Sequence, residues 1–173
     1  MNFRQYLEVV KNRTPITTTK TLEIRHIDPE EDWDLAERVE VISNNVGIHF
    51  SRNKNITIVA MIGDHPEDVI GGVANCTYHA DEGTTYDFDV VVNPQYQGFQ
   101  NVGFKLINSA IQEAKNNEIN IISSLVVNPM LAKILAIRYG FEGLNDSSYA
   151  DYANRDSKPQ PRRSFAVRMW KYI

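Results

Sequence analysis

The stretch from residue 84 to residue 114 constrains the fold most, because its apolar pattern changes there from the period of a strand to that of a helix. Residues 84–92 alternate apolar and polar side chains before they become continuously apolar, which predicts a strand. A turn that contains Pro94 and Gly98 follows. The apolar residues after the turn share one face of a helix: Val102, Leu106, Ala110, Ile111 and Ala114. The pattern therefore predicts a strand–loop–helix unit.

The loop of this unit opens onto the N-terminus of the helix, where backbone N–H groups are unpaired and the helix dipole is positive. Such a place can bind an anion, for example a pyrophosphate. The turn alone is weak support for this, because Gly98 could serve only to turn the chain and Asn101 only to cap the helix. On the turn alone, that simpler interpretation is favoured.

Outside this unit the sequence predicts strands and helices in mixed order, so an α/β fold with a mixed sheet and helices on both faces is expected. Asp28 and Pro29 suit the N-cap and first position of a helix, and Gly140 suits the end of another. Residues 47–55 are ambiguous and could hold one more short helix. The other predicted elements are a helix at 1–19, a strand at 22–27, a helix through 33–42, strands at 56–62, 69–79 and 119–127, a helix through 130–137, and a final hairpin of 148–153 with 163–173.

Size and composition predict a single domain over residues 1–173, because a chain of this length with 42% hydrophobic residues can bury one sizeable core. The net charge of -4 does not favour nucleic acid, which normally requires a basic surplus. No apolar run approaches the roughly 20 residues that span a bilayer, and the first residues lack the pattern of a signal peptide. We therefore expect a cytoplasmic protein without nucleic-acid or membrane partners.

Metal and disulfide chemistry is not expected from the cysteines and histidines. Cys76 is the single cysteine, which excludes an intramolecular disulfide. The histidines fall on different predicted elements without ligand spacing such as His-Glu-x-x-His. They are His26, His49, His65 and His79. Since His79 ends a strand beside the strand–loop–helix unit, it is the one histidine kept as an alternative base.

Several segments together match the motifs of one family. They are Val92-Asn93-Pro94-Gln95-Tyr96-Gln97-Gly98, Val102-Gly103 with Leu106-Ile107, Asn128 after the next strand, and Tyr139-Gly140-Phe141 at the end of the next helix. In these segments the chain resembles the GNAT superfamily of N-acetyltransferases. The resemblance is at motif level from residue 87 to residue 141, and at the level of element order from residue 22 onward.

This resemblance implies a GNAT-type acyl-CoA N-acyltransferase fold, in which a mostly antiparallel sheet is splayed between two middle strands. It implies acetyl-CoA or another acyl-CoA as co-substrate, and no metal. Asn128 would bond the pantetheine arm or the splayed backbone, with capping of the following helix as its alternative role. The residues that would bind the acyl-CoA are Val91, Val92, Gln97, Gly98, Phe99, Gln100, Asn101, Val102, Gly103 and Asn128.

The chain departs from the family pattern in two places. Between Gly98 and Gly103 the loop is one residue longer, and Gln100 or Asn101 replaces the middle glycine of the family. Asn101 is expected to be the gentler replacement, because Asn adopts the left-handed backbone more readily. In many members a Tyr protonates the departing thiolate, but here that position is Ala136. Tyr139, one helical turn away, is a candidate substitute, with simple packing as its alternative.

Two carboxylates are candidates for the base that deprotonates the amine. As alternate residues, Asp87 and Asp89 lie on one face of the predicted strand. Asp89 is slightly preferred to Asp87 as the base. The interpretation that both are only solvent-facing strand residues has equal weight. Backbone N–H groups of Val91 or Val92 would polarise the thioester carbonyl.

The predicted function is direct transfer of an acetyl or other acyl group from acyl-CoA to a primary amine of a small molecule or protein. The lengthened loop and Ala136 leave a second hypothesis open, a weak or inactive GNAT-like domain that serves binding or assembly. An unrelated α+β fold with a fortuitous turn is the third and weakest. The sequence identifies no acceptor, and it leaves a homodimer open.

Overall fold

The fold was analysed in a computed structural model, which describes residues 19–80, 83–126, 128–143 and 167–173. The helix predicted over residues 1–19 and the hairpin strand predicted over residues 148–153 lie outside the described residues, apart from residue 19. The strands are β1 Glu23–His26, β2 Asn55–Met61, β3 Val69–Ala80, β4 Gly83–Val92, β5 Ile121–Val126, β6 Glu142–Gly143 and β7 Val167–Tyr172. The helices are α1 Trp33–Asn45, α2 Val102–Asn116 and α3 Pro129–Tyr139.

The strands form one mixed seven-stranded sheet in the order β1-β2-β3-β4-β5-β7-β6, which confirms the predicted fold class. The chain divides into two compact units, and the division runs through β3, β4 and α2. The first unit is Met1–Cys76 with Val90–Glu113, and the second is Thr77–Asp89 with Ala114–Ile173. No helix in the described part of the chain is long and apolar enough to cross a membrane.

In the first unit, β2 pairs antiparallel with both β1 and β3, and α1 contributes to the same apolar core. Helix and sheet approach closely at Gly72, where a Cβ would lie 2.8 Å from Ile58 O and 2.8 Å from a methyl carbon of Val39. Only a residue without a side chain fits such contacts. The buried core residues are Ile27, Leu35, Val39, Ile42, Ile56, Val59, Met61, Val69, Ala74 and Val91.

Helix α1 begins at Trp33 with Asp32 as its N-cap, so the predicted N-cap Asp28 was four residues too early. The side chain of Asp28 accepts a hydrogen bond from Glu30 N–H (2.9 Å), and its carbonyl oxygen accepts one from Asp32 N–H (2.7 Å). Aspartate can use such local bonds to stabilise a turn instead of a helix. The residues between Asp28 and Trp33 therefore form a turn, and Asp32 occupies the N-cap position.

In the second unit, β5 pairs parallel with β4 and antiparallel with β7. The β4–β5 pairing runs from Thr85 opposite Ile121 to Asp87 opposite Ser123, and in the described parts of both strands it stops there although each strand continues. The parallel pairing of these two middle strands therefore covers three residue pairs in the described part of the chain. The largest fully buried side chains of this unit are Tyr86, Phe88, Ile122, Leu135 and Met169.

Helix α3 starts and ends as its sequence predicts. The side-chain oxygen of Asn128 accepts hydrogen bonds from the N–H groups of Met130 (2.9 Å) and Leu131 (3.4 Å). Gly140 ends the helix with a left-handed backbone, φ 67°, a conformation that glycine adopts without steric cost. The capping role considered for Asn128 is therefore present in the structure.

Candidate active site

The loop between β4 and α2 consists of two one-turn 3₁₀ helices, Pro94–Tyr96 and Phe99–Asn101. Asn93 caps the first turn, because its side-chain oxygen accepts a hydrogen bond from Gln95 N–H (3.1 Å). Pro94 fits the first position of that turn, because an N–H there would have no partner and proline has no N–H. The second turn leads directly into α2, so the strand–loop–helix unit predicted from the sequence is present.

Three residues of the loop have a left-handed backbone: Gly98 (φ 80°), Gln100 (φ 42°) and Asn101 (φ 58°). The sequence left open whether Gln100 or Asn101 replaces the family glycine, and both adopt the conformation that glycine favours. This conformation costs a residue with a side chain about 1–2 kcal/mol. The loop therefore needs other contacts to hold its shape.

The side chain of Gln100 supplies two such contacts. Its Oε1 accepts a hydrogen bond from Leu22 N–H (3.1 Å), and its Nε2 donates one to the carbonyl oxygen of Lys20 (3.2 Å). Each bond contributes a net of about 0.5–1.5 kcal/mol. Together the two bonds are of the same size as the backbone cost at Gln100, so the side chain can stabilise the conformation of its own residue.

Lys20 is itself held by an ion pair, in which its Nζ lies 2.8 Å from Asp68 Oδ1. The hydrogen bond that Lys20 donates to Asp68 raises the pKa of the Lys20 ammonium and lowers the pKa of the Asp68 carboxyl. Both shifts favour the charged forms. The pair is therefore intact over the neutral range and is lost below the lowered pKa of Asp68 or above the raised pKa of Lys20.

Backbone N–H groups at the start of α2 are weakly held. Gln97 N–H reaches Pro94 O, and Asn101 N–H reaches Gly98 O, each only at 3.5 Å, the outer limit of a hydrogen bond. Apart from its own helix and chain neighbours, no described heavy atom lies within 4 Å of the position that a Cβ on Gly103 would occupy. The loop thus combines weakly bonded N–H donors with open space at the helix N-terminus, an arrangement that suits a phosphate group.

The peptide groups at the end of β4 point in alternating directions. Asn93 N–H donates to Ile70 O of β3 (2.8 Å), and Val91 O lies where a Cβ on Gly71 of β3 would approach it to 2.5 Å. Peptide groups two residues apart face the same side of a strand, so the backbone N–H and C=O of Val91 face β3, as the N–H of Asn93 does. Val92 N–H therefore faces away from β3.

Asp87 and Asp89 lie on one face of β4 as alternate residues, but their surroundings differ. The Asp87 residue is only 6% exposed, and its Oδ1 accepts bonds from Ser123 Oγ (2.7 Å) and Arg168 Nη1 (2.8 Å). The interpretation of Asp87 as a solvent-facing residue is therefore wrong. Asp89 is half-buried.

The partners of Asp87 lie far from it along the chain. Arg168 follows it by 81 residues, and it comes close because β7 pairs with β5 so that Arg168 lies opposite Leu125. Ser123 is opposite Asp87 in the parallel pair. Two adjacent serines in an otherwise apolar strand, Ser123 and Ser124, were the one hint that a buried polar contact lies there.

Tyr139 ends α3 and is half-buried. Burial raises the pKa of its phenol above the ordinary value, and the charge of Arg138 opposes this by a smaller effect. The backbone oxygen of Tyr139 accepts a hydrogen bond from Lys171 Nζ (2.6 Å). Ala136 contributes its backbone oxygen to the bond from Gly140 N–H that closes the helix.

The histidines have separate partners. His79 Nδ1 lies 2.9 Å from Thr84 Oγ1, and His49 Nδ1 lies 3.0 Å from Asn44 Oδ1. His26 Nδ1 is 3.8 Å from Glu113 Oε2. Among the described residues, no group of three or more His, Cys, Asp or Glu side chains could hold a metal ion.

The candidate residues are distributed over both compact units. The first unit holds the backbone of residues 91–92 and the loop residues 97–103, and the second holds Asp87, Asp89, Asn128 and Tyr139. Within the first unit, the loop, the start of α2 and the end of β4 are continuous in the chain. Within the second, the structure brings Asp87 together with Ser123 and Arg168.

These features are those of a known class of enzyme, and the sequence agrees. The profile of the Acetyltransferase (GNAT) family matches residues 18–141, which includes every candidate residue named above except Arg168. The chain therefore belongs to the GNAT acetyltransferase family. Membership supports acyl transfer in general, with an acyl-CoA as the donor.

Solved structures show the same fold at low identity. A GNAT acetyltransferase from Streptococcus pneumoniae is 15% identical, with a TM-score of 0.57 over 88% of this chain and 100% of that chain. Ard1 from Thermoplasma volcanium is 15% identical, with a TM-score of 0.58 over 88% of this chain and 97% of that chain. YncA from Salmonella typhimurium, solved with acetyl-CoA, is 18% identical, with a TM-score of 0.56 over 87% of this chain and 93% of that chain. No curated protein matches the chain.

Proposed function

We propose that this protein transfers an acetyl or other acyl group from acyl-CoA directly to a primary amine of a small molecule or a protein. The observation that carries the proposal is the loop before α2, where weakly held N–H groups and the open space at Gly103 suit a pyrophosphate. Family membership supplies the acyl donor. The cytoplasm is the proposed compartment.

The backbone of residues 97–103 binds the pyrophosphate, because donors and the positive end of the helix dipole converge there. The capping bonds of Asn128 use its side-chain oxygen. Its amide nitrogen is therefore the atom that donates to a carbonyl of the pantetheine arm.

Transfer forms a bond between the amine nitrogen and the acyl carbon and breaks the bond between that carbon and sulfur. The oxygen of the thioester carbonyl gains negative charge on the way, and Val92 N–H stabilises it, because this N–H faces away from β3 whereas Val91 faces towards it. The backbone carries this role, so it does not depend on the valine side chain.

The amine must lose a proton and the departing thiolate must gain one. A lysine-like amine has a reference pKa near 10.4, so a base is needed at neutral pH. Asp89 is the proposed base. Asp87 is second, since taking up a proton would break its ion pair with Arg168. Tyr139 is the proposed acid, although its raised pKa makes it a weak one.

The second candidate function is a GNAT-like domain of low activity that serves binding or assembly. Two observations favour it: Ala136 in place of the usual tyrosine, and the raised pKa of the Tyr139 phenol. The two functions differ in turnover, and both allow the fold described above.

Calorimetric titration with CoA and acetyl-CoA, together with a thiol-release assay on polyamines, amino acids and peptides, tests the proposal. Binding with amine-dependent thiol release is expected. Binding without release from any amine would favour the low-activity domain. If neither CoA nor acetyl-CoA binds, the loop is not a pyrophosphate site and the proposed function fails.

A further inference from the structure

Gln100 joins the loop before α2 to a segment of chain 78 to 80 residues earlier, through its bonds to Leu22 N–H and Lys20 O. Both ends of one side-chain amide are used, the oxygen as acceptor and the nitrogen as donor. A glutamine whose amide is engaged at both ends has a defined orientation. The side chain of Gln100 therefore fixes the position of its own backbone relative to this segment.

The segment that receives Gln100 is itself anchored. Lys20 pairs with Asp68 at 2.8 Å, and the backbone oxygen of Asp68 accepts a hydrogen bond from Ile62 N–H (3.1 Å), which ties it to the turn between β2 and β3. Leu22 is buried and directly precedes β1. The loop is thus fastened to the segment just before β1, and Lys20 of that segment is held to the β2–β3 turn.

The conformation of Gln100 decides where one N–H donor of the loop points. The peptide group that carries Asn101 N–H lies between Gln100 and Asn101, so its direction is set by the ψ of Gln100 (30°) and the φ of Asn101 (58°). Within the protein this N–H contacts Gly98 O at 3.5 Å, the outer limit of a hydrogen bond. Relaxation of Gln100 towards the right-handed region would rotate this donor away from its present direction.

We propose that Gln100 is a positioning residue for acyl-CoA, whose two side-chain bonds hold the left-handed loop in the shape that receives the pyrophosphate. This inference rests on the proposed function. It assigns to Gln100 the work that a glycine performs in the family pattern: the glycine permits the conformation, whereas Gln100 stabilises it by bonds made elsewhere in the fold.

Two substitutions at this position separate the bonds from the backbone cost. Gln100→Ala removes both bonds and keeps the steric cost of the left-handed conformation. Gln100→Gly removes both bonds and the steric cost together. The Kd for CoA is expected to rise about tenfold in the alanine variant, as for loss of one or two hydrogen bonds, and only about threefold in the glycine variant. Gln95→Ala, an exposed glutamine of the same loop, is the matched control and should bind like the unchanged protein.

A truncated donor tells a positioning role from general damage to the fold. S-Acetylpantetheine lacks the pyrophosphate, so its kcat/KM should be the same in the unchanged protein and both variants, while kcat/KM for acetyl-CoA falls. Equal losses for the two donors, or an unchanged Kd for CoA in Gln100→Ala, would overturn the proposal. Should the alanine variant fail to fold, the glycine variant carries the same comparison. Absence of CoA binding in the unchanged protein would instead refute the proposed function.

Discussion

The guanidinium of Arg168 lies 2.8 Å from the carboxylate of Asp87, which is buried at the point where β4 and β5 stop pairing. Ser123 donates a second hydrogen bond to the same oxygen. The arrangement ties β7 to β4 although β5 lies between them in the sheet. It fixes a charge on the same face of β4 as Asp89, which follows Asp87 by two residues.

Arg168→Met should destabilise the fold, because it removes the cation and leaves the Asp87 carboxylate buried with less compensation. Fully buried pairs lose about 3–5 kcal/mol in this way; the Arg168 side chain is 36% exposed, so we expect about 2 kcal/mol. Chemical denaturation measures it. In a double-mutant cycle with Asp87→Asn, a coupling energy below about 0.5 kcal/mol would show that the pair does not contribute.

Asp89→Asn should lower kcat by about a hundredfold, within the usual contribution of a general base, and leave the Kd for CoA unchanged. The substitution keeps the size of the side chain and removes its ability to take up a proton. Steady-state rates over a range of pH, with calorimetry for CoA, measure both effects. Asp64→Asn, an exposed carboxylate on the β2–β3 turn, is the control; an Asp89→Asn profile that follows the unchanged protein at every pH would exclude Asp89 as the base.

Gly103→Val should weaken CoA binding at least tenfold, about 1.4 kcal/mol, because a branched side chain would fill the open space beside the loop. Apart from its chain neighbours and its own helix, no described atom lies within 4 Å of the Cβ position, so the melting temperature should change little. Gly103→Ala should have an intermediate effect on the Kd. An affinity in the valine variant equal to that of the unchanged protein would remove the pyrophosphate assignment from this loop.

Gly71→Ala, unlike Gly103→Val, is expected to lower the stability of the fold as well as the activity. Its Cβ would lie 2.5 Å from Val91 O and 3.1 Å from Val92 Cα, both backbone atoms that cannot rotate away. Separation of β3 from β4 should cost about 1–3 kcal/mol and move Val92 N–H, which lowers kcat. Denaturation and kcat measured on the same samples test this, and a fully stable variant with normal kcat would show that the strands adjust without consequence.

Local patterns predicted most of the fold. The change from a strand period to a helix period located β4 and α2, and Asn128 with Gly140 located the ends of α3. These signals act over a few residues, so they can be seen in the sequence. The start of α1 was missed because Asp28 has local bonding partners in a turn as well as in a helix, and residue type does not decide between them.

The details of the candidate site depend on contacts between distant residues. Neither Gln100 to Leu22 nor Asp87 to Arg168 leaves a pattern in the sequence, since the partners are 78 and 81 residues apart. The choice between Val91 and Val92 likewise needs the bond from Asn93 to Ile70, which fixes the direction of each peptide group. Residue types selected the candidate site, which stays a prediction, and the sheet pairing was needed to orient its atoms.

Tyr139→Phe should reveal whether the phenol donates a proton. Burial raises the pKa of the Tyr139 phenol above the ordinary value of 10.0, whereas a thiol has a reference pKa near 8.5. Proton donation from the phenol to the thiolate is therefore unfavourable by more than about one pKa unit. We expect kcat to fall no more than about tenfold in the variant. An ionised phenol cannot donate, so a loss of kcat above about pH 10 should disappear in Tyr139→Phe.

Stability gives a separate measurement on the same variant. Because the pKa of Tyr139 is raised in the folded state, its contribution is complete below about pH 10 and is lost as the pH rises through the folded value. The phenylalanine variant should therefore lose less stability than the unchanged protein between neutral pH and pH values above 10, in denaturation at each pH. Equal losses would show that the phenol is not buried in solution. A normal kcat up to pH 10 in the variant would leave Tyr139 as a packing residue and the thiolate without a protein acid at this position.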